Sequence, residues 1–250
     1  MLSQNKETGK LIEKKRVSAL PELVPPRNIR LKFCKVGTLQ YISHLDLQRT
    51  FNRIINRACL PVWYTKGFNP HIKLVFSTPL SVGTQSVCEY LDIKIDREMS
   101  ADEIKERLNR EMTDEFYIID AYLPKSDFSE ICWASYNMSI KTEAAGEDLA
   151  NEVQKALTES SIILTKRSKA GDKEIDIVPL IKSVSTRFNE ESGEIEIVSV
   201  VKASSVEYLN PEMIITGLKN KLGILSADPT EEYYTIMRTA LFKDDMTEFS

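Results

Sequence analysis

Two histidines and one aspartate are the residues of this sequence best suited to acid–base or metal chemistry. His44 and Asp46 lie within Tyr41–Leu47, and His71 ends the run Gly67–His71. Histidine titrates near neutral pH, which suits proton transfer, and imidazole and carboxylate groups both bind metals. The pattern offers no nucleophile for a catalytic triad. Acid–base chemistry, metal binding and a structural or recognition role are therefore all open for these residues.

A structural role is the simpler interpretation of the same three residues. Ser43, followed three positions later by Asp46, matches a helix-capping box, so Asp46 would stabilise the start of a helix. His44 would then stand in the first helical turn and bond to a loop, and His71 would stabilise the turn at Gly67–Pro70. The histidines form a chemical pair only if the fold brings them together.

The cysteines do not have the spacing of a metal site. Cys34, Cys59, Cys88 and Cys132 are far apart, with no CxxC pair and no CxxxCxxC triplet. Cys34, Cys59 or Glu89 could complete a site with the histidines, but no local spacing supports one. The sequence therefore predicts no metal and no cofactor, and it predicts buried, reduced thiols.

One segment of the chain is strongly basic. Residues 30–73 hold eight basic residues against one acid, a net charge of +7, whereas the whole chain carries −4. Arg49, Arg53 and Arg57 recur every four positions, on one helix face where Asp46 is the only nearby acid. A guanidinium group can donate two parallel hydrogen bonds to the oxygens of one phosphate or carboxylate. The stripe is either an anion-binding surface or a solvated face.

Further candidate binding residues lie near this arginine stripe and in a second basic turn. Phe68 could stack on an unpaired base, as Trp63 and Tyr64 could, although aromatic residues in strands are more often core. The candidates beyond the stripe are Lys66, Phe68, Asn69, His71, Lys73, Lys166, Arg167 and Lys169.

Hydrophobic periodicity predicts an α+β fold. The segment Arg30–Val36 alternates polar and apolar residues, as a strand does, and Leu47, Phe51, Ile54 and Ile55 recur on one helix face. The order strand, helix, strand, strand, strand-like return, helix, strand occurs once and then repeats loosely. We therefore expect two ferredoxin-like βαββαβ modules with antiparallel sheets.

The predicted modules occupy residues 29–125 and 126–250. The prolines between Pro21 and Pro26 interrupt any helix. We therefore expect residues 1–28 to form a flexible extension. No apolar run is long enough to span a membrane, and the N-terminus lacks the apolar core of a signal peptide, so a cytoplasmic protein is expected.

Several motifs resemble those of a bacterial family, the radical SAM-linked proteins. The resemblance is carried by Tyr41–Leu47 and Gly67–Lys73, and it covers roughly residues 28–245. It continues in Pro79–Gly83, Glu89–Asp92, Lys166–Lys169, Ile175–Leu180 and Arg238–Leu241. The resemblance implies a domain of unknown function that is associated with, or fused to, cobalamin-binding radical SAM proteins. It implies no established catalytic residue.

These observations favour an accessory protein over an enzyme. Because the chain lacks a CxxxCxxC triplet, a radical SAM cluster would have to belong to a partner enzyme. The accessory protein would bind RNA or a ribonucleoprotein substrate, with the basic residues on phosphates and His44, Phe68, Asn69 and His71 on bases or on the partner. One alternative is an enzyme that uses His44, Asp46 and His71. The other is a protein–protein adaptor whose basic face meets an acidic partner.

Overall fold

The chain divides into two units. The structure is a computed structural model, and it describes residues 2–159, 161–166 and 171–250. The first unit covers the residues up to Val82, together with Val87–Ser126 and Ser250; the second covers Gly83–Ser86 and Asp127–Phe249. The predicted modules meet at 125/126, whereas this division also assigns four residues near position 85 to the second unit.

The first unit has the strand order of a ferredoxin-like sheet. Its elements are α1 (Leu2–Ser18), β1 (Glu22–Lys35), α2 (His44–Arg57), β2 (Val75–Phe76), β3 (Thr84–Arg97, from Val87 onward), α3 (Ala101–Asn109) and β4 (Phe116–Tyr122). The sheet order is β4-β1-β3-β2, and the pairs β1–β4 and β2–β3 are antiparallel. Two βαβ crossovers therefore interleave, as the repeated pattern of strands and helices predicts.

The core of the first unit lies between this sheet and its helices. Phe33 on β1, Phe51 on α2 and Phe116 on β4 are buried, and their rings meet edge to face with centroids 5.0 to 5.8 Å apart. Edge-to-face pairs add stability beyond the apolar area that they bury. The aromatic cluster thereby fixes α2 against the strands.

The second unit repeats the same order. Its elements are β5 (Trp133–Lys141), α4 (Glu147–Thr158), β6 (Ile163–Lys166), β7 (Lys173–Asp176), β8 (Ile181–Asn189), β9 (Glu194–Lys202), α5 (Glu212–Leu222) and β10 (Tyr233–Phe242). Antiparallel pairing gives the order β10-β5-β9-β8, and Thr84–Ser86 pair in parallel with β10. Strands β6 and β7 pair as a separate antiparallel two-stranded sheet, inserted in sequence between α4 and β8.

The predicted fold class is confirmed. Both units place βαββαβ elements in the strand order fourth, first, third, second, which is the ferredoxin-like arrangement. The parallel contact of β10 with Thr84–Ser86 is the exception to an otherwise antiparallel set of pairings in the second unit as described. In the described ranges, no helix is long and apolar enough to cross a membrane.

The N-terminal residues differ from the predicted loose extension. Helix α1 ends at Ser18, and β1 already begins at Glu22. Val17 is buried in the core of the first unit, and Glu13 accepts a hydrogen bond from Arg107 on α3. These contacts attach the second half of α1 to the first unit, because its apolar and acidic side chains have specific partners there.

Candidate functional site

Helix α2 positions the arginine stripe. Ser43 caps the helix, and its Oγ accepts a hydrogen bond from the backbone N–H of Asp46 at 3.2 Å. The apolar face of the helix faces the core through Leu47, Phe51, Ile54 and Ile55. Arg49, Arg53 and Arg57 each follow a buried apolar position by two residues, roughly half a helical turn, so all three are exposed on the opposite side.

The three arginines differ in their partners. Arg49 pairs with Asp46 at 3.0 Å. The Nε of Arg57 lies 2.9 Å from the Glu111 carboxylate, and its Nη2 donates to the Glu111 carbonyl oxygen at 2.9 Å. Arg53 has no carboxylate within ion-pair distance among the described residues. Asp46 is thus the one acid of the helix beside the stripe, as the sequence predicts, whereas Glu111 reaches Arg57 from outside α2. Among the described residues, Arg53 alone of the three has no ion-pair partner.

Asp46 stabilises the start of α2. Its carboxylate accepts a hydrogen bond from the Ser43 hydroxyl at 2.7 Å and one from Arg49 at 3.0 Å. The hydrogen bond from Ser43, followed by the bond and charge of Arg49, holds the pKa of Asp46 below its ordinary value. Asp46 therefore stays ionised and bound within its own helical turn.

A closed loop presents the second group of candidates. The backbone N–H of Thr65 donates to the carbonyl of His71 at 3.0 Å, and the N–H of His71 donates to the Thr65 hydroxyl at 3.1 Å. Gly67 adopts a φ of +134°, which favours glycine. Phe68 at the tip is fully exposed, with a relative accessibility of 111%. The loop is therefore fixed at its base and projects an aromatic side chain into solvent.

The other loop candidates surround Phe68 in sequence. Lys66, Asn69 and Lys73 are exposed. Tyr64, just before the loop, donates from its hydroxyl to Asn56 on α2 at 3.2 Å. This bond joins the base of the loop to the helix that carries the arginine stripe.

The remaining aromatic and basic candidates contribute less. The half-buried Trp63 ring lies 5.6 Å from the Lys94 ammonium, so Trp63 is not a free platform for a base. Lys166 ends strand β6, whereas Arg167 and Lys169 lie outside the residues that the structure describes.

The two histidines have separate local partners. The ring of His44 meets Phe76 edge to face at 5.0 Å, and its Nε2 lies 3.1 Å from the Gln48 amide nitrogen. His71 Nδ1 lies 3.0 Å from the carbonyl oxygen of Asn69. The same Nδ1 lies 3.1 Å from the Thr65 hydroxyl oxygen, so both contacts hold the His71 ring at the base of the loop.

No described hydrogen bond joins His44, Asp46 and His71 to one another. Across residues 2–159, 161–166 and 171–250, no three or more His, Cys, Asp or Glu residues form a cluster that could hold a metal ion. None of the four cysteines forms a disulfide. Cys34, Cys59 and Cys88 are buried, whereas Cys132, which was also predicted to be buried, is partly exposed. Burial raises the pKa of the Cys34 thiol, against the opposing effect of its hydrogen bond with Tyr117.

The sequence did not reveal a cavity beside the arginine stripe. It lies between α2 and the turn Thr113–Phe116, and its volume is about 560 Å³. The partner of Arg57, Glu111, is 54 positions away in the sequence, so helical spacing carries no signal for it. The sequence signal near this cavity is Gly37, a glycine that follows a predicted strand and that adopts a positive φ in the structure.

Comparison with family models identifies the family. Residues 28–211, nearly three quarters of the chain, match the family described as "Uncharacterized protein conserved in bacteria (DUF2344)". The chain belongs to this family. The predicted membership of a bacterial family with a domain of unknown function is thus confirmed for this DUF2344 protein, and the predicted association with radical SAM proteins stays a prediction.

Solved structures give only distant likenesses to the DUF2344 protein. One chain of "Crystal Structure of a Cbf5-Nop10-Gar1 Complex" shares 12% identity over 87% of this chain and 50% of that chain, with a TM-score of 0.45. The encapsulated DyP-type peroxidase from Mycobacterium smegmatis shares 12% identity over 87% and 93% of the two chains, with a TM-score of 0.20. DyPB from Rhodococcus jostii RHA1 shares 11% over 89% and 95%, also with a TM-score of 0.20.

These likenesses are too weak to carry an argument about the DUF2344 protein. The chain spans half the length of the first of these structures. None of the curated protein sequences compared with the chain matches it.

Proposed function

We propose that this protein is a cytoplasmic accessory protein that binds RNA, alone or in a ribonucleoprotein, as the substrate of a partner radical SAM enzyme. The partner enzyme is suggested by the resemblance of Tyr41–Leu47 and Gly67–Lys73 to radical SAM-linked proteins. Both motifs lie on the surface described above, one at the start of α2 and the other in the closed loop. The RNA is suggested by the chemistry of that surface.

The fully exposed Phe68 is the observation that carries the proposal. A phenylalanine side chain gains roughly 1.5–3 kcal/mol when it leaves water for an apolar contact, so a fixed loop that holds it in solvent is suited to a partner. Lys66 and Lys73 place positive charge on either side of it in the sequence. An aromatic ring with flanking cations suits an unpaired base and its phosphates.

The arginine stripe extends this surface along α2. Arg53 has no ion-pair partner among the described residues, and Tyr64 links the loop base to the same helix at Asn56. A guanidinium without a carboxylate binds phosphate without first losing another ion pair. The proposed interface therefore combines stacking on the loop with phosphate binding on the helix.

Substitution of Phe68 tests the proposal. Since stacking contributes about 1–3 kcal/mol per base, Phe68→Ala should weaken binding of single-stranded RNA by roughly five- to 150-fold. Phe68→Trp, which keeps an aromatic face, should bind nearly as tightly as the unsubstituted protein. Filter retention of a labelled single-stranded RNA measures both affinities.

A matched control separates stacking from a general loss of apolar surface. Val206 is also highly exposed, at 91%, and it lies in the second unit. Val206→Ala should leave the RNA affinity unchanged. If Phe68→Ala binds RNA as well as Val206→Ala does, the loop is not the RNA site. Phe68-dependent capture of a protein that survives nuclease treatment would favour the adaptor instead.

A further inference from the structure

The cavity beside α2 has walls that are fixed before any ligand arrives. In the turn opposite α2, Thr113 and Phe116 exchange two backbone hydrogen bonds of 3.1 and 3.0 Å. The carboxylate of Glu115 then accepts from the backbone N–H and the hydroxyl of Thr38, at 3.2 and 2.7 Å. The turn and the chain after β1 are thereby held together at the rim of the cavity.

Gly37 makes this close approach possible. It has a φ of +60°, and a Cβ built at this position would lie 2.3 Å from the Glu115 carboxylate oxygen. Any larger residue would therefore push Glu115 away from Thr38. The wall is a specific arrangement of the backbone, and such a preformed wall lowers the cost of binding a ligand.

The lining of the cavity combines an apolar floor with one available cation. Ile54, Met112 and Phe116 line the cavity with apolar side chains, of which Met112 is the most exposed. Arg57 at the rim is engaged by Glu111. Arg53, which also lines the cavity, has no carboxylate partner in the described part of the chain. A ligand here needs an apolar body and an anionic group.

Acceptors on the opposite wall add a second requirement. The turn places Asp114 and Glu115 at the rim, and carboxylate oxygens accept hydrogen bonds from amino groups but repel phosphate. The anionic end of a ligand therefore lies toward Arg53, and its body points toward the turn. The volume of about 560 Å³ falls within the usual range of small-molecule sites.

We infer that this cavity takes one unstacked nucleotide. Its phosphate binds Arg53, its base packs against the floor of Ile54, Met112 and Phe116, and an exocyclic amino group of the base faces the carboxylates of the turn. The inference rests on the proposed function, because RNA would supply the nucleotide. It goes further in naming a base-accepting pocket distinct from the stacking tip at Phe68, with a preference for bases that carry an amino group.

Free nucleotides test the pocket separately from RNA binding. AMP, CMP, GMP and UMP are titrated into the full chain by calorimetry, with ribose 5-phosphate and inorganic phosphate as probes that lack a base. At least one of the amino-bearing nucleotides should bind, with UMP weaker than it. Both probes without a base should bind at least about tenfold more weakly, because they leave the apolar floor empty.

Two substitutions and a control localise the binding. Thr50 lines the cavity from α2 and is partly exposed, so Thr50→Phe should fill the cavity and abolish nucleotide binding, whereas Thr50→Ser should preserve it. Arg53→Gln should weaken nucleotide binding by roughly tenfold, since a hydrogen bond to a charged group is lost. Circular dichroism checks that each variant is folded. If Thr50→Phe does not fold, the result for Arg53→Gln alone decides the outcome.

The outcomes distinguish the pocket from the proposed function. Nucleotide binding that is lost in Thr50→Phe or weakened in Arg53→Gln supports the pocket. If no nucleotide binds while RNA still binds in a Phe68-dependent manner, the pocket is wrong and the proposed function stands. If nucleotides bind but RNA does not, the proposed function fails, and so does RNA as the source of the nucleotide. If ribose 5-phosphate binds as tightly as the nucleotides do, the cavity is a phosphate site and the proposed base pocket is wrong.

Discussion

Arg49, Arg53 and Arg57 have the same spacing and exposure but different availability. Exposed ion pairs are worth at most about 1 kcal/mol, so Arg49 could leave Asp46 for a phosphate at little cost. Arg57 is bound to Glu111 by both a side-chain and a backbone contact. Arg53 needs to break no ion pair in the described structure. It is therefore the arginine best placed to bind a phosphate.

Asp46 should support α2 in a pH-dependent way. Its pKa is lowered in the folded protein, first by the hydrogen bond from Ser43 and then by Arg49. A lowered pKa means that the ionised carboxylate stabilises the fold at a pH above its ordinary value of about 3.8. This stabilisation is lost as the pH falls through the lower folded pKa. Asp46→Asn should therefore be less stable than the unsubstituted protein at neutral pH, and the difference should shrink in acid.

Urea unfolding at a series of pH values measures this difference. Ser43→Ala removes the largest cause of the lowered pKa, so the effect of Asp46→Asn should be smaller and less pH-dependent in that background. A stability difference between the unsubstituted protein and Asp46→Asn that stays constant from neutral to acid pH would contradict the capping role. Such a result would reopen the catalytic interpretation of Asp46.

Sequence reasoning could place His44 and His71 but not their environments. Local patterns put His44 in the first turn of a helix and His71 beside a turn, and both positions are observed. The packing of His44 against Phe76 depends on a contact across 32 positions of the chain, which periodicity cannot reveal. The same is true of the bond between Arg57 and Glu111.

At the scale of elements, α2 was predictable because its signals are local. Ser43 begins it, and the apolar positions every three or four residues, among them Leu47 and Phe51, are the buried ones. Helix α1 was not predicted as part of the first unit, because the prolines between Pro21 and Pro26 suggested a loose segment. Its docking depends on the burial of Val17 and on the bond from Arg107 to Glu13, and both are long-range contacts.

A buried ion pair joins the neighbouring strands β1 and β3. Arg30 is 1% exposed, and its Nε and Nη2 lie 2.8 and 2.9 Å from the two carboxylate oxygens of Asp92. Asp92→Asn would break this buried pair by replacing a carboxylate that accepts two hydrogen bonds from the guanidinium, which costs about 3–5 kcal/mol. We expect the free energy of unfolding of the first unit to fall by about this amount in urea.

An exposed pair provides the control for Asp92→Asn. Glu106 on α3 and Arg110, which directly follows that helix, are 3.4 Å apart, and both side chains are mostly exposed. Glu106→Gln should therefore change the free energy of unfolding by less than about 1 kcal/mol. If Asp92→Asn and Glu106→Gln lower the free energy of unfolding by similar amounts, burial does not set the strength of the Arg30–Asp92 pair.

For the whole molecule, the distribution of charge matters more than its total. The chain carries −4, yet residues 30–73 carry +7, so the rest is strongly acidic. An acidic remainder repels RNA and would restrict it to the basic segment.

The alternating strand and helix pattern predicted both ferredoxin-like units. It could not predict the parallel pairing of Thr84–Ser86 with β10 inside the second unit, because the paired residues are about 150 positions apart.

The salt dependence of RNA binding tests the central claim most directly. The affinity for a single-stranded RNA is measured by filter retention across a salt series for the unsubstituted protein and for Arg53→Gln/Lys66→Gln/Lys73→Gln. A control variant removes the same charge elsewhere, at the exposed residues Lys125, Lys155 and Lys219.

Each phosphate contact contributes about 0.7 to the slope of log affinity against log salt for single strands. We therefore expect the triple substitution at Arg53, Lys66 and Lys73 to lower the slope by about 2 and to weaken binding. The control variant should keep the slope of the unsubstituted protein. Equal slopes for all three proteins, or no RNA binding at low salt, would contradict the assignment of this face to RNA.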